Sequence, residues 1–182
     1  MNPFHHDSVT ASKQVKAYCE SSLRTWRRIM KSLQEMYAPN SFCFGCGPKN
    51  PKGLRIRSFA VGDEVVAEWK SEPQHVAFAG FVNGGILSTL LDCHGNWTAA
   101  YALMRKSRMD SPPGTVTSAY EVKFLRPTQI SKTMHIRARA TSTEGDRVTV
   151  EGFIGVESKM TASMKGTFVA VKEGHPAFHR WE

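Results

Sequence analysis

Between Glu72 and Arg105 the chain carries a single Asp, Glu, Lys or Arg, and it is Asp92. Around it Ile86, Leu87, Leu90, Leu91, Trp97, Tyr101, Leu103 and Met104 recur largely at the three- and four-residue steps of a helix, predicted from Gly84 to about Arg105. A helix this apolar needs a large surface to cover it. Pro112-Pro113-Gly114 breaks the chain, and four strand patterns follow at about 115–126, 132–142, 146–157 and 161–172. The first alternates, with Val116, Ser118, Tyr120, Val122 and Phe124 on one face and Thr117, Ala119, Glu121 and Lys123 on the other. The last puts Ala162, Met164, Gly166, Phe168 and Ala170 on one face. Earlier strand-like alternation lies at Leu54 and Ile56 and, after a Gly62-Asp63 turn, at Val65–Trp69. One long helix beside consecutive strands predicts an α+β fold, an antiparallel sheet with one central helix against it.

Residues 13–37 read as an amphipathic helix, with Arg24, Arg27, Arg28 and Lys31 between its apolar positions and Pro39-Asn40 ending it. It is expected to cap the main domain or make a subunit contact; a basic membrane-surface helix is the alternative. The chain thus divides into a helical extension at 1–38, a main domain at 39–173 and a tail at 174–182, whose His175, His179 and Trp181 are expected to pack along the domain. The start has no apolar stretch of a secretory signal, and Pro73–Leu91 is too polar for a membrane span. A cytoplasmic protein with reduced cysteines is the expectation. Lys and Arg number 24 against 16 Asp and Glu, a net charge of +8 that attracts polyanions. The cations are scattered, without the like-charge block of a nucleic-acid tail, so nucleic acid is not expected as a partner.

An unpaired carboxylate in so apolar a helix is costly to bury. The neighbours of Asp92 at three, four and seven residues are Gly85, Ser88, Thr89, Gly95, Asn96 and Ala99, all small or polar. That stripe is cut back for a ligand or another backbone, and Asp92 lies in it, either as a reacting group or as a structural acid facing solvent or a backbone donor. Asn83-Gly84-Gly85 opens the same helix, where free N–H groups can hold an anion or a developing oxyanion. Eight residues of helix separate Gly84 from Asp92 by roughly 12 Å. A general base acts at about 3 Å. If both serve one carbonyl they must come from two subunits, which predicts an obligate dimer.

Cys43 and Cys46 form one Cys-x-x-Cys; no second pair exists, Cys19 and Cys93 stand apart in sequence, and no metal is expected. His75 is a candidate for lining a site. His94, about 200° around the helix from Asp92, should point away from it into the core. Phosphate-binding loops, dinucleotide fingerprints, nucleophile elbows and zinc-protease motifs are absent.

The run Cys43-Phe44-Gly45-Cys46-Gly47-Pro48-Lys49-Asn50-Pro51-Lys52-Gly53-Leu54 resembles the loop opening many PaaI-type hotdog thioesterases. Asn83-Gly84-Gly85 followed by Leu90-Leu91-Asp92 is similar to that family's His-Gly-Gly…Asp signature, and Thr115-Val116-Thr117 through Phe124-Leu125-Arg126-Pro127 is similar to its next strand. The resemblance covers about 42–171. It implies a hotdog fold, a homodimer or homotetramer, and hydrolysis of acyl-CoA thioesters without metal, with coenzyme A present only as part of the substrate. It also implies roles: Asp92 as base or nucleophile, the Gly84 N–H as donor to the thioester carbonyl, and Thr117 assisting near the attacking water. Asn83 stands where the family has histidine, and an amide cannot supply a proton. Gly85, His75, Ser88, Asn96 and Arg126 are the candidate substrate-binding residues, and Arg137 and Arg139 are further candidates for the CoA phosphates. The alternative functions are a non-catalytic acyl-CoA or small-ligand-binding hotdog protein, a nucleic-acid binder acting through the basic N-terminal helix, and a hotdog dehydratase, which would want a histidine beside its acid.

Overall fold

The computed structural model describes residues 30–181. Ser32 is extended and caps α1 (Leu33–Tyr37) in a capping box: its hydroxyl accepts from the Glu35 N–H while the Glu35 carboxylate accepts from the Ser32 N–H. The continuous helix expected over 13–37 therefore does not run through, because a new helix starts at Leu33. Ser32-x-x-Glu35 is the sequence signature of that start. The rest of that expected helix, with Arg24, Arg27 and Arg28, lies outside the described residues. Leu33 and Ala38 are buried, and Gln34 exchanges two hydrogen bonds with Ser58, of 3.0 and 2.8 Å, so α1 is built into the core.

The strands are β1 (Phe59–Val61), β2 (Glu64–Lys70), β3 (Val76–Phe78), β4 (Phe81–Val82), β5 (Thr115–Phe124), β6 (Thr133–Glu144), β7 (Arg147–Val156) and β8 (Lys159–Ala170). Six form one antiparallel sheet in the order β1-β2-β6-β7-β8-β5, and β3 and β4 pair as a small hairpin. The long helix α2 (Gly84–Ser107) lies against β2, β5, β6, β7 and β8. Arg105 and Lys106 sit in its last turn, at the negative end of its dipole, and left-handed Arg108 (φ 53°) closes it. Leu54 and Ile56 are not in a strand. Both are buried in a loop whose N–H groups bond back to Phe44 and Gly45, at 2.7 and 3.0 Å.

Leu87, Leu90, Leu91, Trp97 and Leu103 of α2 pack with Ile136, Val148, Val150, Ile154 and Phe168 of the sheet. At Gly95 the helix comes so close that a Cβ would run into Met164 and Phe168. Part of the small-residue stripe thus serves packing. The tail folds back onto α2: Trp181 is buried, its ring lies 4.3 Å from that of Trp97, and its Nε1 donates to the Pro113 carbonyl at 2.9 Å. Among the described residues no helix is long and apolar enough to cross a membrane.

β5 departs from simple alternation. Thr117 pairs with Phe168 and Ala119 with Thr167, leaving Ser118 as an extra residue. Such a bulge transfers the residues after it to the opposite face. Thr115 and Thr117 reach α2 before the bulge, and Tyr120 and Phe124 reach it afterwards. The predicted separation of Thr117 from Tyr120 and Phe124 onto opposite faces is therefore corrected.

Candidate active site

Asp92 faces β5, half-buried, and its Oδ1 accepts a hydrogen bond from the Thr117 hydroxyl at 2.7 Å. Behind Thr117 stands Asn96, one helical turn beyond Asp92, its Nδ2 3.5 Å from the Thr117 oxygen. The Thr115 hydroxyl donates to Asn96 Oδ1 at 2.6 Å. Thr115, Asn96, Thr117 and Asp92 thus form a chain in which every donor points toward the carboxylate. Only Oδ1 of Asp92 is engaged; the carboxylate makes no other hydrogen bond among the described residues. Burial pushes its pKa above the ordinary carboxylate range, while the Thr117 hydrogen bond and the positive charge of Arg180 pull it back in part. A half-buried carboxylate held at one oxygen, with its proton affinity raised, can take a proton from water or attack an electrophile.

The other predicted element is the start of α2. Asn83 is its N-cap, with Oδ1 accepting from the Gly85 N–H at 2.7 Å. Asn83 O accepts from Ile86 and Leu87. The Gly84 N–H takes no partner among the described residues, which leaves it as an exposed-end donor on the positive pole of the helix. The Phe124 ring covers Gly84, and a Cβ there would meet it at 3.3 Å. Because Gly84 and Asp92 lie on one continuous helix, one chain does not bring them together.

The remaining candidates divide by location. The Ser88 carbonyl accepts from the Tyr120 hydroxyl at 2.7 Å, one turn before Asp92. Asn96 is buried behind Thr117, in a positioning place rather than at an open surface. His75 stacks beside Trp69, with ring centroids 5.0 Å apart, and its Nδ1 accepts from the Glu72 N–H. It borders a groove of about 360 Å³ that also presents Lys52, Arg55 and Lys70. That groove adjoins the start of α2, since the His75 carbonyl accepts from the Asn83 N–H at 2.9 Å. Arg126 donates to the Met160 carbonyl, Arg137 is paired with Glu64, and Arg139 lines a separate groove with Tyr101 and Arg105 near the C-terminal end of α2. These three arginines are not brought together at Asp92.

Thr115, Tyr120 and Arg180 are neighbours of this site that the sequence reading missed. Burial and the Asp92 charge push the Tyr120 pKa well up, so its hydroxyl stays protonated. Arg180 donates to the Thr115 carbonyl and lies over the Trp181 ring at 4.3 Å. Tyr120 is signalled only by its position in the strand, and Arg180 by nothing local, since it returns from the chain terminus.

His94 points into the core as expected. Its Nδ1 lies 2.9 Å from the Ser58 hydroxyl and its Nε2 2.9 Å from the Val65 carbonyl, so Nε2 carries the proton and Nδ1 accepts. Burial lowers its pKa to about 4. Cys93, read as isolated, is carried by α2 to the Cys43–Cys46 loop, and the three sulfur atoms lie within 4.8 Å of one another. Cys43 is held down as the shared acceptor of this trio, while Cys46 and Cys93 are pushed up because their S–H groups donate to it.

A long helix against a six-stranded antiparallel sheet, with a lone acid on that helix facing the edge strand, defines a hotdog-type protein. Residues 79–162 match the thioesterase superfamily. A thioesterase superfamily protein from Shewanella loihica PV-4 is 26% identical, with a TM-score of 0.55 over 64% of this chain and 91% of that one. The Escherichia coli PaaI protein of the phenylacetic acid degradation operon is 18% identical, with a TM-score of 0.56 over 65% and 81%. A Streptococcus mutans UA159 protein solved with acetyl CoA is 14% identical, with a TM-score of 0.54 over 64% and 88%. The last two likenesses establish the fold. No curated protein sequence matches the chain.

Proposed function

We propose that the protein hydrolyses an acyl-CoA thioester to the free acid and CoA, with Asp92 as general base or nucleophile and the Gly84 N–H of a second subunit as oxyanion donor. The observation carrying this reading is the one-way hydrogen-bond chain from Thr115 through Asn96 and Thr117 to a carboxylate with one oxygen uncommitted. The donors hold the carboxylate in place and leave its second oxygen for water or the thioester carbon. Asn83 fits the same scheme: by capping Gly85 it fixes the first turn and leaves the Gly84 N–H for a ligand. Its part is then orientation, so an amide suffices where the resembling family has histidine.

Dimerisation is supported by β5, a ten-residue edge strand with Phe124 and Leu125 exposed beside it. Pairing two such edges would bring the Asp92 of one subunit toward the α2 start of the other, as the roughly 12 Å along one helix requires. The groove bearing Lys52, Arg55 and Lys70 suits the phosphates of CoA better than Arg126, Arg137 or Arg139, because it adjoins the Gly84 end. No resident cofactor enters this scheme, and a reducing, cytoplasmic setting would keep Cys43, Cys46 and Cys93 as thiols.

The test is thiol release from short-, medium- and long-chain and aromatic acyl-CoAs by the parent and by Asp92→Asn, with a substrate-free blank for the protein's own thiols. Turnover by the parent and a loss of about 10²-fold or more in the variant, with the oligomer intact, is the expected result. Equal rates overturn the Asp92 mechanism. Absence of turnover with CoA esters still bound replaces hydrolysis by ligand binding.

A further inference from the structure

We infer that Cys43, Cys46 and Cys93 form a binding site for a thiophilic d¹⁰ cation, Zn²⁺ or Cu⁺, where the Cys43–Cys46 loop meets α2. Sulfur atoms about 2.3 Å from a common metal stand about 3.8 Å apart in a tetrahedral site and about 4.0 Å in a trigonal one. Cys43 Sγ and Cys93 Sγ are 3.8 Å apart, and all three sulfurs lie within 4.8 Å. Closing the set on an ion therefore takes side-chain shifts of less than about 1 Å, and thiolate sulfur is the donor that selects these soft cations.

The loop is shaped for this convergence. The Gly47 N–H closes a turn onto the Cys43 carbonyl at 2.9 Å. A Cβ at Gly45 would collide with the Cys93 sulfur, and one at Gly47 would collide with the backbone of Ser41 and Cys43. Glycine at both places lets the Cys-x-x-Cys turn press onto α2. The Trp97 Nε1 donates to Cys46 Sγ at 3.3 Å, orienting that sulfur from behind. Cys46 and Cys93 are buried while Cys43 is half-exposed, so the trio has one side toward solvent. Cu⁺ is complete with three thiolates; Zn²⁺ takes a fourth ligand, water, on the Cys43 side. Binding displaces the thiol protons to solvent, with no change of oxidation state.

The experiment uses the full chain purified in reductant without chelator. Elemental analysis is expected to give about one Zn or Cu per chain, retained in Cys19→Ser. After chelator treatment, Co²⁺ should give thiolate-to-cobalt charge-transfer absorption, reversed by Zn²⁺. A Cu⁺ titration monitored by competition with a chromogenic chelator forms the second arm. Cys93→Ser and Cys43→Ser should each lose the ion at least about tenfold. Because those variants could fail to fold, release of the ion from the unmutated protein by a mercurial thiol reagent is measured in parallel. A metal-free protein that gives no cobalt charge-transfer band and does not compete for Cu⁺ overturns the proposal, and so does unchanged metal content in folded Cys93→Ser.

Discussion

Asp92 and His94 are two residues apart on one helix and belong to opposite kinds of polar construction. His94 is fully buried, and both ring nitrogens are matched, one to Ser58 and one to the Val65 carbonyl. Gln34 completes that network with two bonds to Ser58. Asp92 ends its network instead, with donors on one oxygen only. Burial acts on both in favour of the neutral form, lowering the histidine pKa and raising that of the aspartate. A closed network gives stability and offers no reactive atom. An open one gives up some stability to keep a charged group available.

The largest effect should come from breaking the closed side. His94→Leu leaves the Ser58 hydroxyl proton without its acceptor and the Val65 carbonyl without the imidazole donor, and should cost on the order of 3 kcal/mol, read by denaturant unfolding. Activity per folded molecule should stay within about twofold, since His94 is outside the proposed reaction. The same residue sets an acid limit. With a folded pKa of about 4, the native protein binds fewer protons than the unfolded chain below the usual histidine value of about 6.5. Stability should therefore fall as pH drops from about 6.5 to 4, by on the order of 3 kcal/mol in all, and that component should vanish in His94→Leu.

Thr117→Val sharpens the open side. It removes the hydroxyl that lowers the Asp92 pKa, so the acid limb of kcat/KM should move to higher pH and the plateau should drop roughly tenfold. An unmoved acid limb would separate Asp92 from the rate. The smallest effect tests the stability cost directly. A carboxyl whose folded pKa is raised contributes stability at low pH and loses it as pH rises through that folded value. Asp92→Asn should thus melt slightly higher than the parent at neutral pH, by roughly 2 °C, while losing turnover. A lower melting temperature would mean that the charged form is the one the fold favours.

Much of this arrangement was legible in the residues. An isolated acid in an apolar helical pattern marks Asp92 without any structure, and the 200° rotation between positions 92 and 94 sends His94 the other way. The break before Leu33 was legible too, in Ser32-x-x-Glu35, although the apolar periodicity read through it. Periodicity reports which residues prefer burial, and a capped helix start changes that preference little.

Periodicity and spacing are local, so they determined the long helix, the strands β2 and β5 to β8, the open N–H at Gly84 and the acid at position 92, while β1 was misplaced to Leu54 and Ile56. Three features depended on segments distant in sequence and were decided only by the tertiary structure. The extra residue at Ser118 moves Thr117 and Tyr120 onto one face, and it exists because β5 must keep register with β8 on both sides of it. Cys93 meets Cys43 and Cys46 because α2 crosses beneath their loop, and Arg180 reaches the neighbourhood of Asp92 because Trp181 is drawn onto Trp97. In each case burial of apolar surface brings together parts of the chain whose closeness no local pattern encodes.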